Sequence, residues 1–387
     1  MVTSLFALWG LANNMTDTLL AAFRKIMQMS DTQTSFIQMA FYGAYFCLAL
    51  PAALFIRKHS YKSGVILGLC LYAAGAILFL PAAGAASYAF YLIAIYIMAA
   101  GCSVLETTAN PYIMSMGSPK TATRRLSIAQ SFNPIGSILG ILVSKYFILQ
   151  DISLYSVSGT YAAVGGVLIA IMVVMLFARM PEGQDTTKQD SLSATFKRLL
   201  KNRKYSFGVI AQFFYVGAQI GVWSFTIRLV MKELGMVEAQ ASSLYLISII
   251  GFCASRFVYT WLMKYVTPQR LLAAGSVLST LCALLVVLTS GWFCVVCLIL
   301  VSIFMSLMFP TIYGIALGSV SESEHKDDTK IGASGLIMAI LGGALLTPLQ
   351  GMVSDHSNIN VSYLVPMCCF LVVLAFALVT ARKQETV

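Results

Sequence analysis

The strongest constraint on this chain is a succession of apolar stretches, each long enough to cross a lipid bilayer, running from one end to the other. Inside lipid no water reaches the backbone, so a spanning segment must satisfy its own hydrogen bonds, and only helices and closed barrels do so. A spanning helix takes about 20 predominantly apolar residues. Segments of this kind fall at residues 4–26, 33–56, 62–82, 88–116, 123–149, 159–179, 205–231, 239–264, 268–290, 292–318, 330–353 and 361–381. They predict an all-α membrane protein with twelve transmembrane helices. Composition agrees, since 59% of the 387 residues are hydrophobic and 10% are charged, against roughly 25% charged in soluble domains. No soluble domain of useful size remains. The net charge of +10 would point to nucleic acid in a soluble protein; here it reports orientation, and no nucleic-acid partner is expected.

Lysine and arginine are unevenly divided between alternate connections. Arg57, Lys58, Lys62, Lys120, Arg124, Arg125, Lys264, Arg270, Lys326, Lys330, Arg382 and Lys383 fall on one side with the loop after the sixth span, and Arg24, Lys25, Lys145, Arg228 and Lys232 on the other. The positive-inside rule then predicts that both termini are cytoplasmic. No cleavable leader is expected, because the first Lys or Arg is Arg24 and the opening run carries Asn13, Asn14 and Asp17. The polar stretch from Met180 to Lys204 predicts an N-terminal six-helix half (1–179), a cytoplasmic linker (180–204) and a C-terminal six-helix half (205–387). Within the linker, Ser191 opens a basic amphipathic stretch ending in Lys197, Arg198, Leu199, Leu200 and Lys201, which suits either anionic headgroups or water. Arg57, Lys58 and Lys62 after the second span are echoed by Arg256, Lys264 and Arg270 around the end of the eighth, a faint sign of duplication. Parallel halves built this way bind substrate at their interface near the midplane.

Two acids, Asp17 and Glu106, lie inside spans, whereas the other Asp and Glu fall in connections or at span ends. A charged side chain at the bilayer centre costs ~2.5–3.5 kcal/mol on insertion scales, so it faces protein or a water-filled cavity and marks proton, ion or substrate handling. Asp17 stands about 18 Å along the first span, near mid-depth. Asn13 and Asn14 precede it by four and three residues and share its face. In the fourth span Pro111 lacks the N–H that would bond the Thr107 carbonyl, beside Glu106. Asn110 shares the face of Glu106, and Gly101, Cys102 and Ser103 leave room around it. Carboxyl groups whose surroundings alternate between water and low dielectric bind and release protons near neutral pH. Asp17 and Glu106 are therefore expected to couple transport to protons, with a sodium site the lesser alternative.

Gln130 and Asn133 sit three apart in the fifth span, followed by Pro134, which removes a bond to the Gln130 carbonyl. Gln212, Tyr215, Gln219 and Trp223 form one stripe of the seventh span, and Gln38 and Tyr42 pair on the second. Amides donate and accept hydrogen bonds and rings cover a sugar's apolar face, so this set suits a neutral polyhydroxyl ligand. Asn14, Gln38, Asn110, Gln130, Asn133, Gln219 and Trp223 are the candidate sugar contacts; for each amide, helix-to-helix packing is the competing reading. Arg256, near the cytoplasmic end of the eighth span, is read as snorkelling or paired. The nine cysteines lie in apolar segments and read as small hydrophobes. Cys294 and Cys297 form a CxxC with no second pair and no nearby histidine, and His59, His325 and His356 fall in connections. No metal site and no cofactor are expected.

The segments FALWGLANNMTD (Phe6 to Asp17), SFIQMAFYGAYF (Ser35 to Phe46), LETTANPYI (Leu105 to Ile113), AQSFN (Ala129 to Asn133), AQFFYVGAQ (Ala211 to Gln219) and TPLQGMVSD (Thr347 to Asp355) resemble the L-fucose/proton symporter family of the major facilitator superfamily. The resemblance covers nearly the whole chain. It implies a major facilitator fold of two pseudo-symmetric six-helix halves, alternating access, and proton-driven sugar uptake across a bacterial inner membrane. It also implies two essential carboxyls matching Asp17 and Glu106, with Glu106 in the central cavity and Asp17 nearer its outer mouth, and Asn14, Gln130 and Asn133 as cavity residues. One departure is Thr16, where the fucose members would carry Asn. L-Fucose is the expected sugar, with galactose, glucose and N-acetylglucosamine as alternatives within the wider family. A monomer is expected. The rival class is a membrane-embedded enzyme acting on lipid-linked sugars, for which the sequence assembles no catalytic constellation.

Overall fold

The computed structural model describes residues 2–26, 31–148, 153–180, 191–321 and 328–382, and within them the side chains other than those of residues 2, 13, 16–25, 31–36, 38, 145, 238, 239 and 382. Residues 181–190 of the expected linker, with His325, Lys326 and Lys383, lie outside the described residues. Among the described residues the chain is helical: α1 (Val2–Ile26), α2 (Asp31–Lys58), α3 (Tyr61–Ile77), α4 (Phe79–Ala85), α5 (Tyr88–Ser115), α6 (Ala122–Gln130), α7 (Asn133–Val143), α8 (Leu154–Phe177), α9 (Leu192–Lys201), α10 (Arg203–Leu234), α11 (Glu238–Leu262), α12 (Pro268–Leu288), α13 (Gly291–Met305), α14 (Met308–Ser321), α15 (Asp328–Met338), α16 (Gly342–His356) and α17 (Leu364–Arg382). Eleven of the helical runs are long and apolar enough to cross a membrane. The 25 residues of α1 take the place of the first span.

Several expected spans are made of two helices. The third breaks at Leu78, the fifth between Gln130 and Asn133, and the tenth between Met305 and Met308. Each break lies within four residues upstream of a proline, Pro81, Pro134 and Pro310 respectively, because a proline offers no N–H to the carbonyl four residues earlier and its ring crowds that carbonyl. The sixth span begins earlier than expected, at Leu154, since Ser153 caps it by accepting a hydrogen bond from the Ser156 N–H at 3.1 Å. The basic stretch after Ser191 is the helix α9, capped the same way by Ser191 accepting from the Ala194 N–H at 3.3 Å.

The described chain forms two compact units. The first comprises Met1–Met116, Ile135–Gln189 and Asp327–Met338; the second comprises Gly117–Pro134, Asp190–Lys326 and Ala339–Val387. Each takes in a half-span from the other six-span stretch of sequence.

In the first unit α5 packs against α2 and α3, and α15 lies on α2 and α5. Tyr72 of α3 donates to the Leu8 carbonyl of α1 at 3.0 Å. Phe79 and Tyr161 stack with centroids 4.1 Å apart, fastening α4 to α8. In the second unit α10 is central, packed against α14, α16 and α17. Its C-terminal end is tied down by Glu233, whose carboxylate accepts from the Gly291 N–H at 2.7 Å and from Asn360 Nδ2 at 3.0 Å, while Lys232 donates to Asn360 Oδ1 at 2.7 Å.

One crossing occurs in both units. Gly136 of α7 lies against the backbone of Ala7 in α1, and Gly342 at the start of α16 lies against the backbone of Phe213 in α10. A methyl group at either glycine would run into the facing carbonyl. In lipid, burying apolar surface supplies little drive for helices to associate, so close backbone contact through small residues and hydrogen bonds does the work.

Candidate functional site

Ser87 caps α5, accepting from the Phe90 N–H at 3.4 Å, and the helix then runs buried almost without interruption from Met98 to Tyr112. Its interior position sets the surroundings of Glu106, which keeps 5% of its surface exposed. The titratable groups that reach this carboxyl are Tyr45 of α2 and Cys102 one turn earlier. Ser103 donates to the Tyr45 carbonyl at 3.4 Å, holding α2 against this part of α5. Among the described residues no cation pairs with Glu106; the ion pair found joins Lys232 and Glu233, at the C-terminal end of α10. One residue on, the Thr107 hydroxyl has no hydrogen-bond partner among the described residues, and the Thr107 carbonyl is the one released by Pro111. Asn110 is fully buried one turn beyond Glu106. A buried carboxyl without a counter-ion, beside loosened backbone, can trade a proton with water once its surroundings open.

Asn14 lies on α1, which touches both α2 and α5. It is half-buried, its Nδ2 reaches the Gly10 carbonyl at 3.4 Å, and its Cβ faces Gly140 of α7. Asp17 is carried by α1 and Gln38 by α2; their side chains, with that of Asn13, lie outside the described residues. Asn14, Glu106 and Asn110 thus stand on adjoining helices of the first unit.

The remaining candidates belong to the second unit. Gln130 ends α6 and is 2% exposed, and Asn133, half-buried, begins α7. On α10 the Trp223 ring meets Phe252 of α11 edge-to-face at 5.0 Å, its indole N–H has no hydrogen-bond partner among the described residues, and Gln219 is half-buried one turn away. Tyr215 is committed to packing, its hydroxyl donating to the Met305 carbonyl at 3.2 Å.

Two residues gain importance beyond their reading from sequence. Gln212 is fully buried and neither amide atom has a partner among the described residues; an unpaired buried polar group costs ~1–3 kcal/mol, so this amide calls for a water or a ligand hydroxyl. Its place on the polar stripe was the only signal. Arg256 is 3% exposed and paired rather than snorkelling. Its Nε donates to the Ser306 carbonyl at 2.7 Å and its Nη1 to the Gln130 carbonyl at 2.8 Å, with the guanidinium carbon 4.7 Å from the Phe252 ring centroid.

Residues 2–326 match the Major Facilitator Superfamily. The chain is 40% identical to the L-fucose-proton symporter of Haemophilus influenzae over 97% of its own length and 94% of that protein. It is 34% identical to the L-fucose-proton symporter of Escherichia coli, over 97% of this chain and 91% of that one. The glucose/galactose transporter of Brucella abortus is 28% identical over 99% of this chain and 93% of its own. The crystal structure of the transporter FucP in an outward conformation matches at a TM-score of 0.89, with 34% identity, over 98% of this chain and 97% of that chain. The chain belongs to the major facilitator superfamily, in the family of the L-fucose-proton symporters.

A major facilitator protein is a transporter, and the all-helical architecture is that fold. Among its described residues no group of three or more His, Cys, Asp or Glu is placed to hold a metal ion. All nine cysteines are free, Cys294 and Cys297 included. The first unit carries the Glu106 carboxyl with Asn14 and Asn110, and the second carries Gln130, Asn133, Gln212 and Gln219 with the Trp223 ring.

Proposed function

We infer that this protein imports a sugar together with one or more protons by alternating access, with L-fucose as the sugar. The observation that carries this reading is Glu106, a buried carboxyl with no cationic partner among the described residues, next to a proline-released backbone turn. An uncompensated charge buried there would cost several kcal/mol, so closing the site over Glu106 is linked to its protonation. If proton and sugar favour the same conformation, each tightens the binding of the other by the same factor, and a proton gradient drives sugar inward. Asp17, also carried mid-span, is the second coupling carboxyl. Asn14, Gln38, Asn110, Gln130, Asn133, Gln219 and Trp223 bind the sugar, amides to its hydroxyls and the indole to its apolar face. The moving bodies are the six-helix halves 1–179 and 205–387, joined by the linker 180–204. The protein sits as a monomer in a bacterial cytoplasmic membrane with both termini inside.

The relatives named for L-fucose and protons support the choice of sugar, and those named for glucose and galactose keep a second hexose in play. Uptake into proteoliposomes under an imposed inward proton gradient, with labelled L-fucose competed by galactose and glucose, decides between them. L-Fucose accumulates and competes best; galactose competing where L-fucose does not would transfer the role to the second sugar.

A further inference from the structure

Arg256 is a full charge buried inside a span, and no carboxylate among the described residues balances it. The titratable groups near it are Tyr215 and Cys253. What it meets instead are two backbone carbonyls, and each stands four residues before a proline. Pro134 has no N–H for Gln130, four residues earlier, and Pro310 has none for Ser306, four residues earlier. Arg256 donates one bond to each, at 2.8 and 2.7 Å, from two different nitrogens. The rigid fork of a guanidinium holds donors on separate nitrogens in fixed directions, so it serves two acceptors on different helices at once.

We propose that Arg256 is a positioning residue that clasps the broken fifth span and must release the Gln130 carbonyl each time the transporter changes state. Ser306 lies in the same six-helix stretch of sequence as Arg256 and anchors it; Gln130 lies in the other and is the part that lets go. This rests on the alternating-access reading above. The surrounding contacts fit a surface that is close but separable. The α6 segment packs on α14 and α11, and the Thr123 side chain fills the space over Gly314, where an added Cβ would be 2.7 Å from it. Thr123, Ser127 and Gln130 share one face of α6, and Ser127 is buried. A carbonyl acceptor, being a dipole rather than an ion, holds the guanidinium less firmly than a carboxylate would. The bond can therefore be broken within a transport cycle, and the amide of Gln130 is held in place while it lasts.

The clasp is tested by the reactivity of Ser127→Cys towards a membrane-impermeant maleimide, in full-length protein in proteoliposomes carrying Cys47→Ser, Cys70→Ser and Cys368→Ser. Arg256→Ala removes the donor. Pro134→Ala leaves Arg256 intact but returns an N–H that competes for the Gln130 carbonyl. Each is expected to raise the alkylation rate about tenfold, equal to about 1.4 kcal/mol, and the double variant is expected to go no higher than either single one, because both remove the same bond. Wild-type alkylation in Pro134→Ala, or effects that add in the double variant, would overturn the clasp. Should Arg256→Ala not be recovered, Arg256→Lys takes its place, since it keeps the charge but gathers its donors on one nitrogen in place of the rigid fork that spans the two carbonyls. Counterflow of L-fucose in the same vesicles scores the transport reading separately: its absence from the wild type removes that reading, while alkylation still scores the contact.

Discussion

Glu106 and Arg256 are both charged residues buried within spans, one in each compact unit, and they are treated in opposite ways. Around Glu106 stand small side chains, the Cys102 thiol and a loosened turn of α5 and the Tyr45 phenol of α2, and no cation among the described residues. Around Arg256 two carbonyls and an aromatic face meet the guanidinium at bonding distance. The first group is left able to change its charge, and the second is fixed in one. The same device, a proline inside a span, lies next to both. It loosens backbone beside the carboxyl and supplies acceptors to the guanidinium, so the consequence of a proline depends on what stands opposite the carbonyl it frees.

Exchanging the two behaviours gives the sharpest tests. The largest effect is expected for Glu106→Gln, which keeps shape and hydrogen bonding but removes the proton site. The ratio of internal to external sugar under a pH gradient should fall to about one, the value for an uncoupled carrier, while the melting temperature in detergent stays at the wild-type value. Asp17→Asn should do the same. Retained accumulation in either variant would erase the distinction drawn for that carboxyl. Arg256→Met should show the reverse pattern. Leaving two buried carbonyls without donors costs on the order of 3 kcal/mol, read as a melting temperature lowered by several degrees, whereas sugar carried by the surviving protein should remain coupled to protons. An unchanged melting temperature would mean that the guanidinium is not structural. Lys197→Ala, on the exposed side of α9, should leave both measurements unchanged.

Much of this was legible beforehand because lipid forces a simple code. Apolar length fixes the spans, and Asp17 and Glu106 stand out because almost nothing else charged lies within them. The break at Pro134 was signalled by residue type, and the Gln130 carbonyl was identifiable as one to which Pro134 offers no N–H, whereas the break before Pro310 was not read. What took that carbonyl was not, since Arg256 follows it by more than a hundred residues and periodicity carries no information about which distant helix comes to face it. Gln212 illustrates a related gap. Its position on a polar stripe was clear, but whether an amide in a stripe is paired across a helix contact depends on the neighbour's backbone. The helix start at Leu154 was missed for a local reason: Ser153 and Ser156 read as connection until one is seen to cap the other.

The neutral partners of Arg256 bear on how a proton-driven machine keeps its stoichiometry. A guanidinium balanced by an acid would set a second exchangeable hydrogen in the membrane's interior, competing with the one that is meant to be counted. Amide oxygens at Gln130 and Ser306 neutralise the strain of a buried cation without ever accepting that hydrogen, so a permanent positive charge can sit within the bilayer and remain silent to the gradient outside.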